Sequence, residues 1–472
     1  MKSSRPSRKG AEPLLNPAAL GIPSGLESVA LACARELAAE GMPGKALRRL
    51  FVRLVETPAF FTDHPVLGRL AAMLQSRSAP GRNFSDPVPE PGHSAPWRAF
   101  GEGLDAGARE QMNHGCSLPV AVAGALMPDA HMGYGLPIGG VLAVENAVIP
   151  YGVGMDIACR MRMTVYAEDP GMLHVRADDL AEALERETRF GVGAAFHHPR
   201  NHPVMTEDWD FSPVTRKMKD TAWKQLGTSG SGNHFVEWGV LDGPRGLGEL
   251  GPGRYLALLS HSGSRGAGGE VARHYSALAR AMRPGLPKGL AHLAWLGLDT
   301  DEGREYWAAM QLMGRYSAAN HALIHAAVSG SLGLCAAWSV ENHHNFAWEE
   351  VHGGQRVIVH RKGATPAGAG VLGVIPGTMI HPAFVVEGLG NPLSLESAAH
   401  GAGRAMSRQE AARRFRRRDM EEVLRRAGVR LLSAGVDEAP MAYKDIRTVM
   451  AAQRELVRIR GTFTPRIVKM AG

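Results

Sequence analysis

Apolar positions recur at helical spacing between Leu26 and Val55. Leu26, Val29, Cys33 and Leu37 share one face; after a break at Gly41 and Gly44, Leu47, Leu50, Phe51 and Leu54 share another. This pattern predicts a small helical extension over residues 1–79. The prolines of PGRNFSDPVPEPGHSAP forbid a regular helix and predict an extended linker over 80–97. Beyond Trp97 the pattern changes to short runs of Val, Ile and Leu separated by glycine clusters such as GYGLPIGG, GTSGSGNH and HSGSRGAGG, the texture of strands joined by loops. Helical spacing returns over 177–188, 268–282, 304–328 and 407–427. No repeat of fixed period is present. The expected fold class is α+β: a mixed domain over 98–472 with a β-sheet core flanked by helices, preceded by the helical extension.

Composition narrows the function. In 472 residues, 44% are hydrophobic and 21% charged, which excludes wholesale disorder, coiled coil and collagen. No run approaches the ~18–20 apolar residues needed to cross a bilayer, since the longest, over 120–127, is stopped by Pro128 and Asp129. No membrane association is expected. The basic start is not followed by an uninterrupted apolar segment, so no secretory signal is expected either. Four cysteines, Cys33, Cys116, Cys159 and Cys335, are too scattered for a disulfide framework and fit a reducing, cytoplasmic setting. The net charge of +7 is compatible with a polyanionic partner but does not require one. The basic stretch 412–430, ARRFRRRDMEEVLRRAGVR, reads either as a solvated helix face or as a contact for an RNA backbone.

Chemistry concentrates in the glycine-rich loops, which hold several of the 20 histidines. After the strand-like AVIPYGVG, Asp156 and Cys159 present a carboxylate and a thiol three residues apart. Hard oxygen with soft sulfur suits Mn²⁺, Zn²⁺ or Fe²⁺, although a buried thiol beside a turn aspartate reads the same way. In GNHFVE, strand alternation sends Asn233, Phe235 and Glu237 to one face and His234 to the other. His261, in HSGSRG, and the pair His343 and His344 complete a set of loop histidines. As a set with Asp156 and Cys159 they point to a metal centre. His400, in a glycine-rich loop before a predicted helix with arginines nearby, suits either phosphate binding or nucleophilic attack on phosphorus by the imidazole; a helix-capping loop is the plainer alternative. His197, His198 and His202 read as a surface insertion, and His321 and His325 as structural. Gly133 and Gly135 lack the context of a dinucleotide or P-loop motif.

Nine ordered blocks then become specific: MPDAHMGYG (127–135), VGMDIAC (153–159), GSGNHFVE (230–237), HSGSRG (261–266), HHN (343–345), HRKGA (360–364), IPGTM (375–379), HGAGRAMSR (400–408) and DEAPMAYKDI (437–446). In this order they resemble the motifs of the RtcB family of RNA ligases, over about residues 97–472. The resemblance implies an enzyme that uses GTP and two Mn²⁺ ions to join RNA ending in a 3′-phosphate or 2′,3′-cyclic phosphate to RNA beginning with a 5′-hydroxyl, in RNA repair or tRNA splicing, through GMP carried on a histidine. It puts His400, Asp129 and Arg265 in the catalytic set, His400 being the nucleophile. The metal ligands it implies are Asp156, Cys159, His234, His261 and His344, with the Cys159 thiolate bridging both ions. The nucleotide contacts it implies are Asn233, Glu237, Asn345, Thr378, Gly401, Gly403, Arg404, Tyr443 and Lys469, and Arg408 joins Arg265 and Arg404 as a phosphate or RNA contact. An archease-like activator is a further partner that the family suggests.

The chain departs from the family pattern in three places. Tyr134 stands where many members have lysine, Thr378 and Ala383 stand where two serines usually face the nucleotide, and Lys469 is followed by Met-Ala-Gly. Two other readings remain open on sequence alone: a metal-dependent phosphohydrolase of cyclic-phosphate RNA ends, and a non-catalytic RNA-end-binding protein.

Overall fold

Runs such as Leu256-Ala257-Leu258-Leu259 are apolar at every position because both faces of the sheet they join are covered. In the computed structural model, this strand, Gly253–Ser262, lies near the centre of a large antiparallel sheet. Its order is Leu372–Ile375, Ala383–Gly388, Val457–Met470, Phe235–Gly243, Gly253–Ser262, Arg160–Tyr166 and Ala336–His343, with Arg430–Ser433 added in parallel to Val457–Met470. Period-two alternation sorts the two faces. Leu256, Leu258, Val236 and Trp238 pack with Leu180, Leu184, Ile324 and Val328 of the helices, whereas Ala257, Leu259, Met161, Met163 and Phe463 form a separate core on the other face. Each fully buried Leu or Val contributes roughly 1.5–3 kcal/mol, so a one-residue slip in register would be strongly disfavoured.

The structure describes residues 94–472 and, before them, 26–39, 41–56, 58–61, 64–68 and positions 17, 20, 22, 70, 71, 73 and 74. The chain divides into two compact units, Met1–Pro87 and Val88–Gly472. In the first, helices Glu27–Ala39 and Gly44–Glu56 bury Cys33, Leu37, Leu47, Phe51 and Leu54, the positions that helical spacing picks out. Most of the expected linker over 80–97 lies outside the described residues.

In the second unit, a five-stranded sheet accompanies the large one, in the order Trp97–Ala99, Ala121–His131, Ile138–Val144, Gln355–Lys362 and Asn345–His352. Helices Ala177–Glu187, Arg265–Met282 and Asp301–Leu332 fall where helical spacing places them. The last runs 32 residues between a Thr300 side-chain cap on the Gly303 N–H and a left-handed Gly333 at φ 69°. Helix Pro213–Gln225 was not anticipated: its lysines and Asp220 dilute an apolar face that consists of little more than Val214 and Ala222. The single helix expected over 407–427 is a correction. It is two helices, Arg408–Arg414 and Arg417–Arg426, because Phe415 and Arg416 are extended and the second helix starts anew with Asp419 accepting the Arg416 backbone N–H. Among the described residues no helix is long and apolar enough to cross a membrane.

Candidate active site

Antiparallel register brings four loops of the large sheet to the same edge. Arg160 lies opposite both Ser262 and His343, and Phe235 lies opposite His261. Cys159, His234 and His344, each one residue beyond a strand end, therefore arrive beside His261. Cys159 Sγ is 3.1 Å from His261 Nε2 and 3.4 Å from His234 Nε2; His261 Nε2 is 3.2 Å from His344 Nε2, and His234 Nε2 is 2.9 Å from an Asp156 carboxylate oxygen. Cys159, His234, His261 and His344 are all buried. Gly230 is required here, since a Cβ at that position would overlap the His234 ring.

The donor set fits a divalent cation. A carbonyl can only accept, so the 2.9 Å contact between His261 Nδ1 and the Asn233 carbonyl puts the ring proton on Nδ1 and turns the Nε2 lone pair toward Cys159 and His344. Burial, with His234 nearby, lowers His261 to about 3, and burial with His400 and His261 pushes His344 well below its ordinary value. Both imidazoles are thus neutral, the form that binds metal. Burial opposes the ionisation of Asp156, but its hydrogen bonds to His234 and Cys159 leave it below the usual carboxylate range. Burial and Asp156 push the Cys159 thiol well up, so a thiolate at this position needs a cation beside it. Carboxylate, sulfur and three ring nitrogens thus converge at 2.9–3.4 Å from their neighbours, the donor types that divalent transition metals take.

These groups open onto a cavity of about 320 Å³. Asp156, Cys159, His261 and His344 line it on one side, and His400, Gly401, Ala402, Gly403 and Arg404 on another. His400 follows the strand Ser397–Ala399 and packs against His344 with ring centres 4.9 Å apart and planes inclined at 48°. Asp129, fully buried on the strand Ala121–His131, accepts from His400 Nδ1 at 2.7 Å and from the His400 backbone N–H at 3.2 Å, leaving Nε2 as the ring nitrogen free of that bond. Gly403, at φ 72°, packs on the Asp129 backbone where a side chain would not fit.

Asn233, Phe235 and Glu237 line the cavity together, while His234 reaches the cluster from behind the lining, as alternation requires. Burial alone raises the Glu237 carboxyl well above its ordinary value. Asn345 spans two loops, donating to the Asp156 carbonyl at 3.2 Å and accepting from the Gly363 N–H at 2.8 Å. Thr378 and Ala383 also line the cavity, and the Thr378 hydroxyl lies 2.8 Å from His381 Nδ1.

Two expected residues are turned elsewhere. Lys469 sits between the cavity-lining Val468 and Met470, so the pleat sends it to the opposite face. There its Nζ donates to the Leu184 and Glu185 carbonyls at 3.2 and 3.3 Å and pairs with the Glu185 carboxylate at 2.9 Å. Arg265, at φ 59°, donates to the Thr228 hydroxyl at 3.0 Å and the Gly191 carbonyl at 2.8 Å and does not line the cavity.

Sequence reasoning passed over Glu438. This buried residue lines the cavity, pairs with Arg404 at 3.3 Å and with Arg408, and accepts from the Tyr443 hydroxyl. Arg404 also stacks on the Tyr443 ring at 5.0 Å. The need of two adjacent arginines for a counter-charge was the available signal. His321 and His325 both bond the Ser260 hydroxyl, at 2.6 and 2.7 Å, one residue before His261, and stand outside the cluster.

A family model described as tRNA-splicing ligase RtcB matches residues 111–208 and 203–470. The RNA-splicing ligase RtcB of Escherichia coli K12 is 31% identical over 405 residues, covering 78% of this chain and 95% of that protein. The protein of the same name from Mycobacterium tuberculosis H37Rv is 31% identical, covering 70% of this chain and 92% of its own. The tRNA-splicing ligase RtcB of Methanococcus maripaludis is 30% identical, with 74% and 88% covered.

Proposed function

Since the chain belongs to the RtcB family, we propose that it is an RNA ligase that joins 3′-phosphate or 2′,3′-cyclic-phosphate ends to 5′-hydroxyl ends at the expense of GTP. The observation that carries this reading is the hydrogen bond from His400 to the buried Asp129, at the wall of a cavity that also holds the cation-binding edge. Asp129 holds the Nδ1 proton, so Nε2 keeps its lone pair. Nε2 attacks the α-phosphorus of GTP; an N–P bond forms, the bond to the β-phosphate oxygen breaks, and pyrophosphate leaves. An oxygen of the RNA 3′-phosphate next attacks the same phosphorus and breaks the N–P bond, moving GMP to the RNA end. The 5′-hydroxyl then attacks the RNA phosphorus and GMP departs. A cyclic end is first opened by water.

Asp156, Cys159, His234, His261 and His344 would hold two manganese ions, which when bound neutralise phosphate charge and acidify attacking hydroxyls. Asn233, Glu237, Asn345, Thr378, Gly401, Gly403, Arg404 and Tyr443 surround the guanylate in this reading, supported by their common place around the cavity. Catalysis belongs to residues 98–472, with the helical extension outside it. The four free cysteines suit a cytoplasmic enzyme whose Cys159 must stay reduced.

The test is incubation with Mn²⁺ and GTP radiolabelled at the α-phosphate. An acid-labile covalent label on the wild type and none on His400→Ala is the expected result; equal labelling of both would remove His400 as the nucleophile. Repeating end joining with an archease-like protein shows whether turnover needs an activator.

A further inference from the structure

The arginine-rich stretch after the cavity divides into two chemically different halves. On helix Arg417–Arg426 three of the four guanidinium groups are paired with the helix's own acids: Arg417 lies 2.8 Å from Glu421, and Arg425 and Arg426 share Glu422 at 2.6 and 2.8 Å. The other four, Arg413, Arg414 and Arg416 before that helix and Arg418 in its first turn, are all exposed, and among the described residues none of them makes an ion pair. Arg413 Nε donates to the Gln409 carbonyl at 3.2 Å, and Arg414 lies over the Phe415 ring at 5.8 Å. Asp419, the acid closest in sequence to Arg418, is turned to the Arg416 backbone N–H at 3.2 Å, and Glu410 pairs with none of the four.

These four arginines continue from the cavity. Helix Arg408–Arg414 starts at Arg408, which lines the cavity beside Arg404. At 1.5 Å per residue, Arg413 and Arg414 lie only about 8–9 Å further along the axis, a few nucleotides of backbone away. A row of unneutralised guanidinium groups leading out of a phosphate-handling cavity, with no aromatic or amide side chain between them except Phe415, matches a polyanionic backbone. It offers planar forks for phosphate oxygens and nothing that reads bases.

We propose that Arg413, Arg414, Arg416 and Arg418 form a track for the phosphodiester backbone of the RNA strand whose end occupies the cavity, binding it without regard to sequence. The proposal rests on the ligase reading for the identity of the strand. The break at Phe415 and Arg416 divides these arginines between two short helices and the extended residues that join them.

The test uses the full chain and a fluorescently labelled single-stranded RNA ending in a 3′-phosphate, with affinity measured across a salt series. The variant Arg413→Ala/Arg414→Ala/Arg416→Ala/Arg418→Ala should bind at least ~10-fold more weakly at physiological salt, with a salt slope shallower by about 0.7 for each phosphate that is no longer neutralised. The comparison variant Arg417→Ala/Arg425→Ala/Arg426→Ala, which removes only neutralised arginines, should stay within about twofold of wild type by the same criterion. GMP labelling, which needs no RNA, is read in parallel to show that the cavity is intact. Wild-type affinity and slope in the first variant, or equal weakening in both variants, would overturn the track. If the wild type labels and joins ends while the first variant binds RNA normally, the track falls and the ligase reading stands. If RNA binding depends on these arginines but no label or joining occurs, the track stands and the ligase reading falls.

Discussion

Asp129 accepts two hydrogen bonds from one residue, the ring Nδ1 and the backbone N–H of His400, at 2.7 and 3.2 Å. The double contact fixes both where the imidazole sits and which nitrogen carries its proton. Asp129→Asn keeps the shape but offers an amide that can donate to Nδ1 and leave the proton on Nε2. The rate of GMP labelling should fall by up to ~10⁴, the loss seen when the aspartate that orients a catalytic histidine becomes asparagine. An unchanged labelling rate would reduce Asp129 to a packing role.

Cys159 contacts two of the three histidines at the sheet edge. Residues that merely orient a metal ligand are worth ~10–100-fold in affinity, so Cys159→Ala should weaken manganese binding beyond that range. Mass spectrometry of metal content after dialysis checks this, and full retention of manganese would exclude the thiol as a ligand.

Lys362 is buried, with Nζ donating to the Tyr134 and Tyr151 carbonyls at 2.6 and 3.2 Å. Burial lowers its pKa from 10.5 to about 7. Between those values the unfolded chain holds a proton that the folded chain lacks, so stability rises as pH rises through this window. Lys362→Met should remove that rise, on the order of a few kcal/mol. Denaturant midpoints at pH 7 and pH 10 measure it; an unaltered difference between the two would show that the folded protein keeps Lys362 charged.

Arg361 is 1% exposed and grips the Glu350 carboxylate with two nitrogens, at 2.6 and 3.0 Å, while bonding the Ser397 hydroxyl and the Leu395 carbonyl. Arg361→Met leaves Glu350 with His352, 2.8 Å away, as its remaining partner and should destabilise the fold by no more than the ~3–5 kcal/mol of a fully broken buried pair. Arg361→Met/Glu350→Gln should recover part of that stability in urea unfolding, and no recovery would place the cost in packing against Trp348 instead.

The centre was legible where residue type alone decides. Asp156, Cys159, His234, His261 and the pair His343 and His344 stand in glycine-rich loops at strand ends, the family resemblance singles out His344 from that pair, and alternation in GNHFVE separates Glu237 from His234 without any structure. Legibility ended where direction decides. Lys469 misses the cavity because it is one residue out of phase with Val468 and Met470, and Arg265 misses it because a left-handed backbone turns it toward Thr228. Glu438 was hidden in a motif whose tyrosine drew attention first. The helix Pro213–Gln225 escaped because its polar residues outnumber the apolar ones that periodicity needs.

The edge where the four loops meet also sets an order of events during synthesis. Its residues are spread from Asp156 to His344, His400 comes later still, and the strand Val457–Met470, near the end of the chain, pairs directly with the strand that follows His234. Pairings at such long sequence separation form late. A partial chain that stops short of residue 457 can contain every one of these residues and still lack one of the two neighbours of the strand Phe235–Gly243. In a fragment ending before residue 457 the strand that follows His234 would be an edge strand, paired with Gly253–Ser262 alone.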